Sequence, residues 1–229
     1  MHDHFEFPEK QFSVEIIGSS GTSSGKIVYV EGGKYQVDYT LMKAGEYKVH
    51  IRTGGTDIFC GRGEEMKCSP FHLDVEPGIA LAKVCEAESL NPNPYSLIEA
   101  RARETGVITV QAKDRFGNNR KIGGDNFMAN FRSLDNENIM YRGYVRDNED
   151  GTYEISYSIP IAGLYQTEVT LDGKRINHCI SASEPFLFDR NYDRLNVYKS
   201  PEFCGKNNIT LTVIHNTLRA FSSTANEEA

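Results

Sequence analysis

Several kinds of residue and segment are missing from this chain, and each absence excludes a class of protein. No tryptophan occurs among its 229 residues, which argues against an antibody-like domain, because such a domain packs a core tryptophan against a disulfide. No segment approaches the roughly 18 consecutive apolar residues that a membrane-spanning helix needs. The first twenty residues carry acidic groups and lack the apolar segment of a signal peptide. We therefore expect no membrane span, and either an intracellular protein or a natural start other than Met1.

Basic residues are also scarce, since 25 lysines and arginines face 32 aspartates and glutamates and the formal net charge is −7. Nucleic-acid binding draws most of its affinity from lysine and arginine side chains on phosphates. A local basic patch around Arg115, Arg120 and Lys121 is the alternative that this charge balance does not favour. We expect no nucleic-acid partner.

An internal repeat organises the residues that are plentiful, which include 12 tyrosines, 12 phenylalanines and 20 glycines. Residues 33–58 align without a gap on residues 151–176, at an offset of 118. The offset matches Gly33 with Gly151 and Tyr47 with Tyr165. A gapless match of this length indicates a duplicated structural unit.

Apolar and polar side chains alternate within each copy. The apolar positions are Tyr35, Val37, Tyr39 and Leu41 in the first copy and Tyr153, Ile155, Tyr157 and Ile159 in the second. Alternation places one set on the buried face of a strand and the other in water. Gly54-Gly55 and Asp172-Gly173 are typical of hairpin turns that need positive φ. The pattern predicts an all-β fold of short antiparallel strands.

Several motifs together resemble the filamin repeat family. In the second copy they are Asp114–Asn118, Gly123–Phe127, Asp147–Tyr153 and Ala162–Tyr165, and in the first copy Ser69–Phe71 closes the unit. Pro70-Phe71 aligns with Pro185-Phe186 by sequence. The resemblance covers about residues 10–188 and implies tandem immunoglobulin-like antiparallel β-sandwiches.

The resemblance divides the chain into three parts. Residues 1–77 form a first repeat that lacks its first two strands, residues 78–190 form a complete repeat, and residues 191–229 form a C-terminal extension. Either the chain is a fragment, or another segment covers the exposed sheet edge of the first repeat. Ile209–Ile214 alternates like a strand, and we hypothesise that it pads the first repeat.

The resemblance also implies a binding mode, in which a partner peptide adds a strand at the edge between strands C and D. We place strand C at Asn126–Ser133 and strand D at Ile139–Val145, with Gly143 marking a bulge or a close backbone approach. In the first copy the equivalent edge is Phe12, Val14 and Ile16 with Ile27–Tyr29. In the second copy the candidate partner-binding residues are Phe127, Ala129, Phe131, Met140, Arg142 and Tyr144.

Catalytic and metal-binding patterns find little support. No phosphate-binding loop, hydrolase elbow or dinucleotide-binding glycine pattern occurs. The acidic segment Asp147–Asp150 lacks the spacing of a calcium loop and is typical of a β-turn. Cys60, Cys68 and His72 match no structural zinc spacing. We expect a non-catalytic protein without a metal or a cofactor.

The cysteines leave the compartment open, because an odd count of five is awkward for a complete disulfide framework. Cys60 and Cys68 flank a polar insertion, and a bridge between them would stabilise the fold by about 2.5 kcal/mol on the loop-entropy model. The alternative is two unrelated thiols. Asn208-Ile209-Thr210 is an N-glycosylation acceptor sequence, which matters only in a secreted protein.

Two classes of function follow. The first is an intracellular scaffold that binds protein or peptide partners and is linked to the cytoskeleton; direct actin binding would require a further domain. The second is an extracellular or cell-surface adhesion segment, of the kind that mediates gamete attachment. A weaker alternative is the substrate-binding repeat of a ubiquitin-ligase-type protein. Free thiols favour the scaffold, whereas oxidised cysteines and a glycan favour adhesion.

Overall fold

The computed structural model describes residues 12–58, 69–88, 99–179, 187–188, 194–195, 204–206 and 209–215. All regular secondary structure within these ranges is β-strand, which confirms the all-β prediction. The described residues include no helix long and apolar enough to cross a membrane. The chain divides into two compact units, unit 1 over residues 1–78 and unit 2 over residues 79–229.

The described residues of unit 1 form seven strands in two sheets. The strands are β1 Phe12–Gly18, β2 Gly21–Ser24, β3 Lys26–Tyr29, β4 Tyr35–Asp38, β5 Gly45–Thr53, β6 Thr56–Asp57 and β7 Phe71–Val75. The larger sheet runs β2-β1-β5, with β6 and β7 both paired to β5, and the smaller sheet is the hairpin β3-β4. All of these pairs are antiparallel.

Unit 2 contains the remaining strands. They are β8 Glu86–Glu88, β9 Glu99–Arg101, β10 Thr105–Gln111, β11 Phe127–Ser133, β12 Met140–Arg142, β13 Tyr144–Asp147, β14 Thr152–Ser158, β15 Gly163–Leu171, β16 Lys174–Arg175, β17 Asn177–Cys179, β18 Leu187–Phe188, β19 Arg194–Leu195, β20 Cys204–Lys206 and β21 Ile209–Ile214. One sheet runs β13-β14-β10-β8-β17-β20 and the other β12-β11-β15-β21-β9, with β16 on β15; β18 pairs with β19.

The core of unit 2 lies between its two large sheets. Strand β14 turns Tyr153, Ile155 and Tyr157 inward, as the alternation predicts, and all three are buried. Tyr157 meets Phe131 of the opposite sheet with ring centroids 4.2 Å apart. Burial of each large apolar side chain contributes about 1.5–3 kcal/mol, so a one-residue slip of this strand would be strongly disfavoured.

A tyrosine corner occurs in both units and identifies the type of sandwich. The hydroxyl of Tyr47 donates to the carbonyl oxygen of Lys43 at 2.8 Å, and the hydroxyl of Tyr165 donates to that of Ile161 at 2.9 Å. Each pair is related to the other by the offset of 118. This bond at the start of the strand is a hallmark of immunoglobulin-like sandwiches, so the predicted fold is confirmed.

The hypothesis that Ile209–Ile214 pads the first repeat is wrong. Strand β21 pairs antiparallel with β15 and parallel with β9, both in unit 2, and its Leu211 and Val213 lie in the core of that unit. The structure thus brings a segment of residues 191–229 into the unit 2 sandwich. Pro185-Phe186 lies outside the described residues, and the sequence-based bounds at 77 and 190 stay predictions.

The registers show which segment closes each sandwich. Phe71 of β7 stands opposite Val49, and Ile209 of β21 stands opposite Thr167, the residue related to Val49 by the offset of 118. Strand β21 therefore occupies in unit 2 the place that β7 occupies in unit 1.

Candidate partner-binding edges

The six residues predicted to line the edge between strands C and D do not form one open surface. Phe127, Ala129 and Phe131 lie on β11 with exposed fractions of 5%, 2% and 0%, because they face the core. The other three are exposed: Met140 and Arg142 on β12, and Tyr144 on β13 with 72% of its surface accessible. Only these three stay candidates for direct contact with a partner.

The backbone of β11 is already bonded on the side that faces strand D. The N–H of Ser133 donates to the carbonyl oxygen of Ile139, and the N–H of Gly143 donates to that of Ala129, both at 3.0 Å. Strand β12 pairs with β11 between these two bonds. A peptide could therefore add to β11 only after β12 had moved away.

A glycine lets strand D pass from one sheet to the other. Gly143 stands between β12 and β13, and a Cβ atom there would lie 2.7 Å from Ile155 Cγ2 and 3.2 Å from Ala129 Cβ. The predicted close backbone approach is confirmed. Gly25, at the corresponding position by the offset of 118, stands between β2 and β3 and faces Val37 in the same way. In both copies a glycine thus allows strand D to cross from one sheet to the other close to the core.

The equivalent candidates in unit 1 follow the same rule. Val14 and Ile16 of β1 are buried in the core, and β2 pairs with β1 from Glu15 to Gly18. Phe12 packs against Tyr35, with ring centroids 4.9 Å apart. The predicted edge is again covered over most of its length.

A different edge of unit 1 is open among the residues that the structure describes. Strand β4 pairs with β3 on one side only. Its counterpart in the second copy, β14, lies between β13 and β10. Tyr39 is 46% exposed, and its counterpart Tyr157, beside β10, is 4% exposed. Tyr35 and Val37, the apolar residues of β4 itself, are also only partly buried.

The hydrogen-bond pattern shows which backbone groups of β4 face outward. The N–H of Val30 donates to the carbonyl oxygen of Lys34 at 3.0 Å, and bonded pairs in an antiparallel ladder recur at every second residue. Gln36 and Asp38 therefore bond to β3, and the N–H and C=O groups of Tyr35 and Val37 point to the open side. Tyr29 packs edge-on against Tyr35 at 5.4 Å and borders this edge.

The acidic turn of unit 2 uses its carboxylates for backbone contacts. Asp147 Oδ2 accepts the N–H of Gly124 at 2.7 Å, and Asp150 Oδ1 accepts the N–H of Thr152 at 2.9 Å. The bonds from the Thr152 side chain and backbone lower the pKa of Asp150. These contacts support the turn interpretation, and no group of three or more metal-ligating side chains occurs in the part of the chain that the structure describes.

The other sequence candidates are dispersed or lie outside the described residues. Arg120 Nε lies 3.0 Å from Asp125 Oδ2 in a mostly buried ion pair. The Arg115 guanidinium stacks on the Phe116 ring, 4.6 Å from its centroid. Two of the three basic residues in the predicted patch therefore make contacts within the protein. Cys60 and Cys68 fall outside the described residues, while His72 lies on β7.

Part of the second unit is similar to a known family of repeats. Residues 82–179 match the family profile of the Filamin/ABP280 repeat. Filamin-C of Rattus norvegicus is 29% identical over 172 residues, which cover 71% of this chain and 5% of filamin-C. The E3 ubiquitin-protein ligase TRIM45 of Homo sapiens is 34% identical over 145 residues, which cover 59% of this chain and 23% of that protein. The chain thus spans a small part of the length of both relatives.

Among solved structures, the Lin-41 filamin domain shares 20% identity and a TM-score of 0.35, covering 43% of this chain and 88% of that domain. InvD of Yersinia pseudotuberculosis shares 15% identity and a TM-score of 0.43, covering 93% of this chain and 49% of that chain. The filamin repeat is a non-catalytic module that binds proteins. Residues 82–179 of this chain, within unit 2, are thus similar to the Filamin/ABP280 repeat.

Proposed function

We propose that this chain is a non-catalytic protein-interaction segment that binds an extended partner peptide by strand addition. The observation that carries the proposal is the open edge of β4, where the N–H and C=O groups of Tyr35 and Val37 face outward. Main-chain hydrogen bonds along such an edge supply affinity, and pockets for alternate side chains supply specificity.

The edge between strands C and D in unit 2 is the second place for strand addition. Met140, Arg142 and Tyr144 are exposed there, and the outer side of β12 can accept a strand. This outer side is only three residues long, and β11 behind it is already paired. We therefore rank the β4 edge above the edge between strands C and D.

The duplication indicates the kind of peptide that fits the β4 edge. In unit 2, β10 lies on β14 with Val110 opposite Tyr153 and Ile108 opposite Ile155. Tyr35 and Val37 are the counterparts of Tyr153 and Ile155. We therefore expect unit 1 to bind a peptide strand that runs antiparallel to β4. A β-branched residue of the peptide should lie opposite Tyr35, as Val110 lies opposite Tyr153, and another opposite Val37, as Ile108 lies opposite Ile155.

The test is a binding titration of the full chain with a fluorescent peptide that carries the sequence Glu104–Ala112. The N–H of Ala112 donates to the carbonyl oxygen of Gly151 at 2.9 Å, so the N–H groups of Ile108 and Val110 are the ones that face β14 in the same ladder. A peptide N-methylated at the Ile108 and Val110 positions should lose binding. The matched control, N-methylated at the Val107 and Thr109 positions, should keep it.

Two further outcomes decide between the edges. Binding that survives all four N-methylations would contradict strand addition. Binding that is lost in the double variant Met140→Ala/Tyr144→Ala, whose side chains are exposed, would move the site to the edge between strands C and D. An unchanged affinity of this variant is the result expected for β4.

The biological setting follows from the compartment. In a reducing compartment the segment would act as a scaffold that holds partners near the cytoskeleton, and in an oxidising one as part of an adhesion protein. The resemblance to an E3 ubiquitin-protein ligase supports a third setting, in which the repeat holds a substrate for a longer protein.

A further inference from the structure

We propose that unit 1 binds a partner segment that supplies two strands, one added to β4 and the other added to β7. The inference rests on the proposed function, because the strand on β4 is the one considered there. It extends the binding site to the second sheet of the unit. The partner is a protein segment that resembles Glu99–Gln111 of unit 2, the segment that contains β9 and β10.

The edge of β7 is open in the same sense as the edge of β4. Among the residues that the structure describes, β7 pairs with β5 alone, whereas its counterpart β21 lies between β15 and β9. Leu73 and Val75 of β7 are only partly buried. Their counterparts Leu211 and Val213 are 0% and 3% exposed. The strand that completes the burial of β21 therefore has no equivalent beside β7 in the described part of unit 1.

The backbone groups that β7 offers to a partner can be assigned from unit 2. The N–H of Ala102, just after β9, donates to the carbonyl oxygen of Ile214 at 2.9 Å, so Ile214 bonds on the β9 side of β21. Glu76 is the counterpart of Ile214, at the offset of 138 that relates the two closing strands. Because bonding groups on one side of a strand recur at every second residue, Asp74 and Glu76 present theirs on the open side of β7.

A single short segment covers both edges in unit 2. Only three residues join β9 in one sheet to β10 in the other. Within them, the N–H of Arg103 donates to the carbonyl oxygen of Ile159, which follows β14, at 2.9 Å. Leu41 is the counterpart of Ile159, and it packs against the same buried core of unit 1 as Leu73 and Val75. The two open edges of unit 1 therefore border one core, which one crossing segment can cover.

The inward side chains of this segment indicate the chemistry of the partner. Ala100 and Ala102, on the part beside β21, are 8% and 6% exposed. Ile108 and Val110, on the part beside β14, are fully buried. We therefore expect the partner to carry small residues where it lies on β7 and β-branched residues where it lies on β4.

A glycine between these two parts gives the partner a further requirement. Gly106 stands opposite Tyr157, and a Cβ atom at this glycine would overlap the tyrosine ring. The counterpart of Tyr157 in unit 1 is Tyr39, which is 46% exposed. The ring of Tyr39 should close over the partner at this position, which selects a glycine four residues after the second small residue.

The test compares two fluorescent peptides in titrations of the full chain. The peptide Glu99–Ala112 carries both strands, and the peptide Glu104–Ala112 carries only the strand for β4. The longer peptide should bind about tenfold more tightly, because it adds main-chain hydrogen bonds to β7. By NMR, it should also slow the amide exchange of Glu76, which the shorter peptide should leave unchanged.

Variants of the longer peptide test each part of the proposed interaction. N-methylation at Ala102 removes the donor to the Glu76 carbonyl and should reduce the affinity to that of the shorter peptide. The matched control is N-methylation at Arg101, whose N–H points to the other side of the strand, and it should keep the affinity. Gly106→Ala should weaken binding about tenfold, whereas Thr109→Ala should not.

The outcomes separate this inference from the proposed function. Equal affinities of the two peptides, or unchanged exchange of Glu76 with the longer one, would overturn the two-strand proposal and leave strand addition at β4 intact. Failure of both peptides to bind would contradict strand addition as well. Unchanged affinity of the Gly106→Ala peptide would overturn the requirement for glycine beside Tyr39.

Discussion

Substitution of Gly151 by alanine tests how the second sandwich is held together at the turn before β14. Gly151 adopts φ +85°, and a Cβ atom there would overlap the backbone carbonyl of Arg120. The positive φ costs about 1–2 kcal/mol for a residue with a side chain, and displacing a packed neighbour costs about 1–3 kcal/mol more. We expect Gly151→Ala to lower the free energy of unfolding by about 3 kcal/mol.

The duplication supplies matched controls for this substitution. Gly33 is the counterpart of Gly151 and adopts φ +77°, and Gly117 of unit 2 adopts φ +78°. Neither has an atom within 4 Å of the position of an added Cβ. Both alanine variants should therefore lose only the conformational part, about 1–2 kcal/mol.

Urea unfolding followed by circular dichroism measures all three variants, because the chain has no tryptophan to report on folding. The larger loss for Gly151→Ala arises from the overlap of the added Cβ atom with the Arg120 backbone. Equal losses for Gly151→Ala and Gly117→Ala would refute the steric reasoning.

Three further predictions concern packing, the tyrosine corners and pH. Gly143→Ala should destabilise unit 2 by about 1–3 kcal/mol in urea unfolding, because the new methyl group would press on Ile155 and Ala129; no loss would contradict the tight crossing. Tyr165→Phe should cost about 1 kcal/mol by removing the bond to the Ile161 carbonyl, and an unchanged midpoint would show that this corner is dispensable. Burial raises the pKa of Tyr153 to about 12, above its usual value near 10. The unfolded chain therefore loses this proton first, so stability should fall between pH 10 and 12 by about 1.4 kcal/mol per pH unit, and Tyr153→Phe should reduce that slope.

The local structure of the sandwich could be predicted from the sequence, because it depends on neighbouring residues. Alternation in Tyr153–Ile159 fixes which side chains of β14 are buried, and the glycine pairs fix the hairpins: Gly54 and Gly55 adopt φ +56° and +83°. The tyrosine corners follow from the same local spacing.

Pairing between distant segments could not be predicted in this way. Alternation identified Ile209–Ile214 as a strand but says nothing about its partner, since the entropy of closing a loop changes slowly with its length. Only the register on β15 shows that it replaces the expected closing segment. The same limitation affected Phe127, Ala129 and Phe131, because alternation shows that they share a face but not that β12 covers their edge.

The open edge of β4 could be located only with the structure, because alternation shows which side chains share a face but not which strands pair. Among the described residues, Tyr35 and Val37 present their backbone groups on that side.

Amide hydrogen exchange measured residue by residue by NMR tests the central claim most directly. If the outer edge of β4 is open, the amides of Tyr35 and Val37 should exchange fast while those of Gln36 and Asp38, bonded to β3, exchange slowly. The amides of Tyr153 and Ile155, the counterparts of Tyr35 and Val37 in unit 2, should be protected from exchange by β10. Addition of the Glu104–Ala112 peptide should slow the exchange of Tyr35 and Val37 as well. Slow exchange of Tyr35 and Val37 without the peptide, or no change when it is added, would contradict the account.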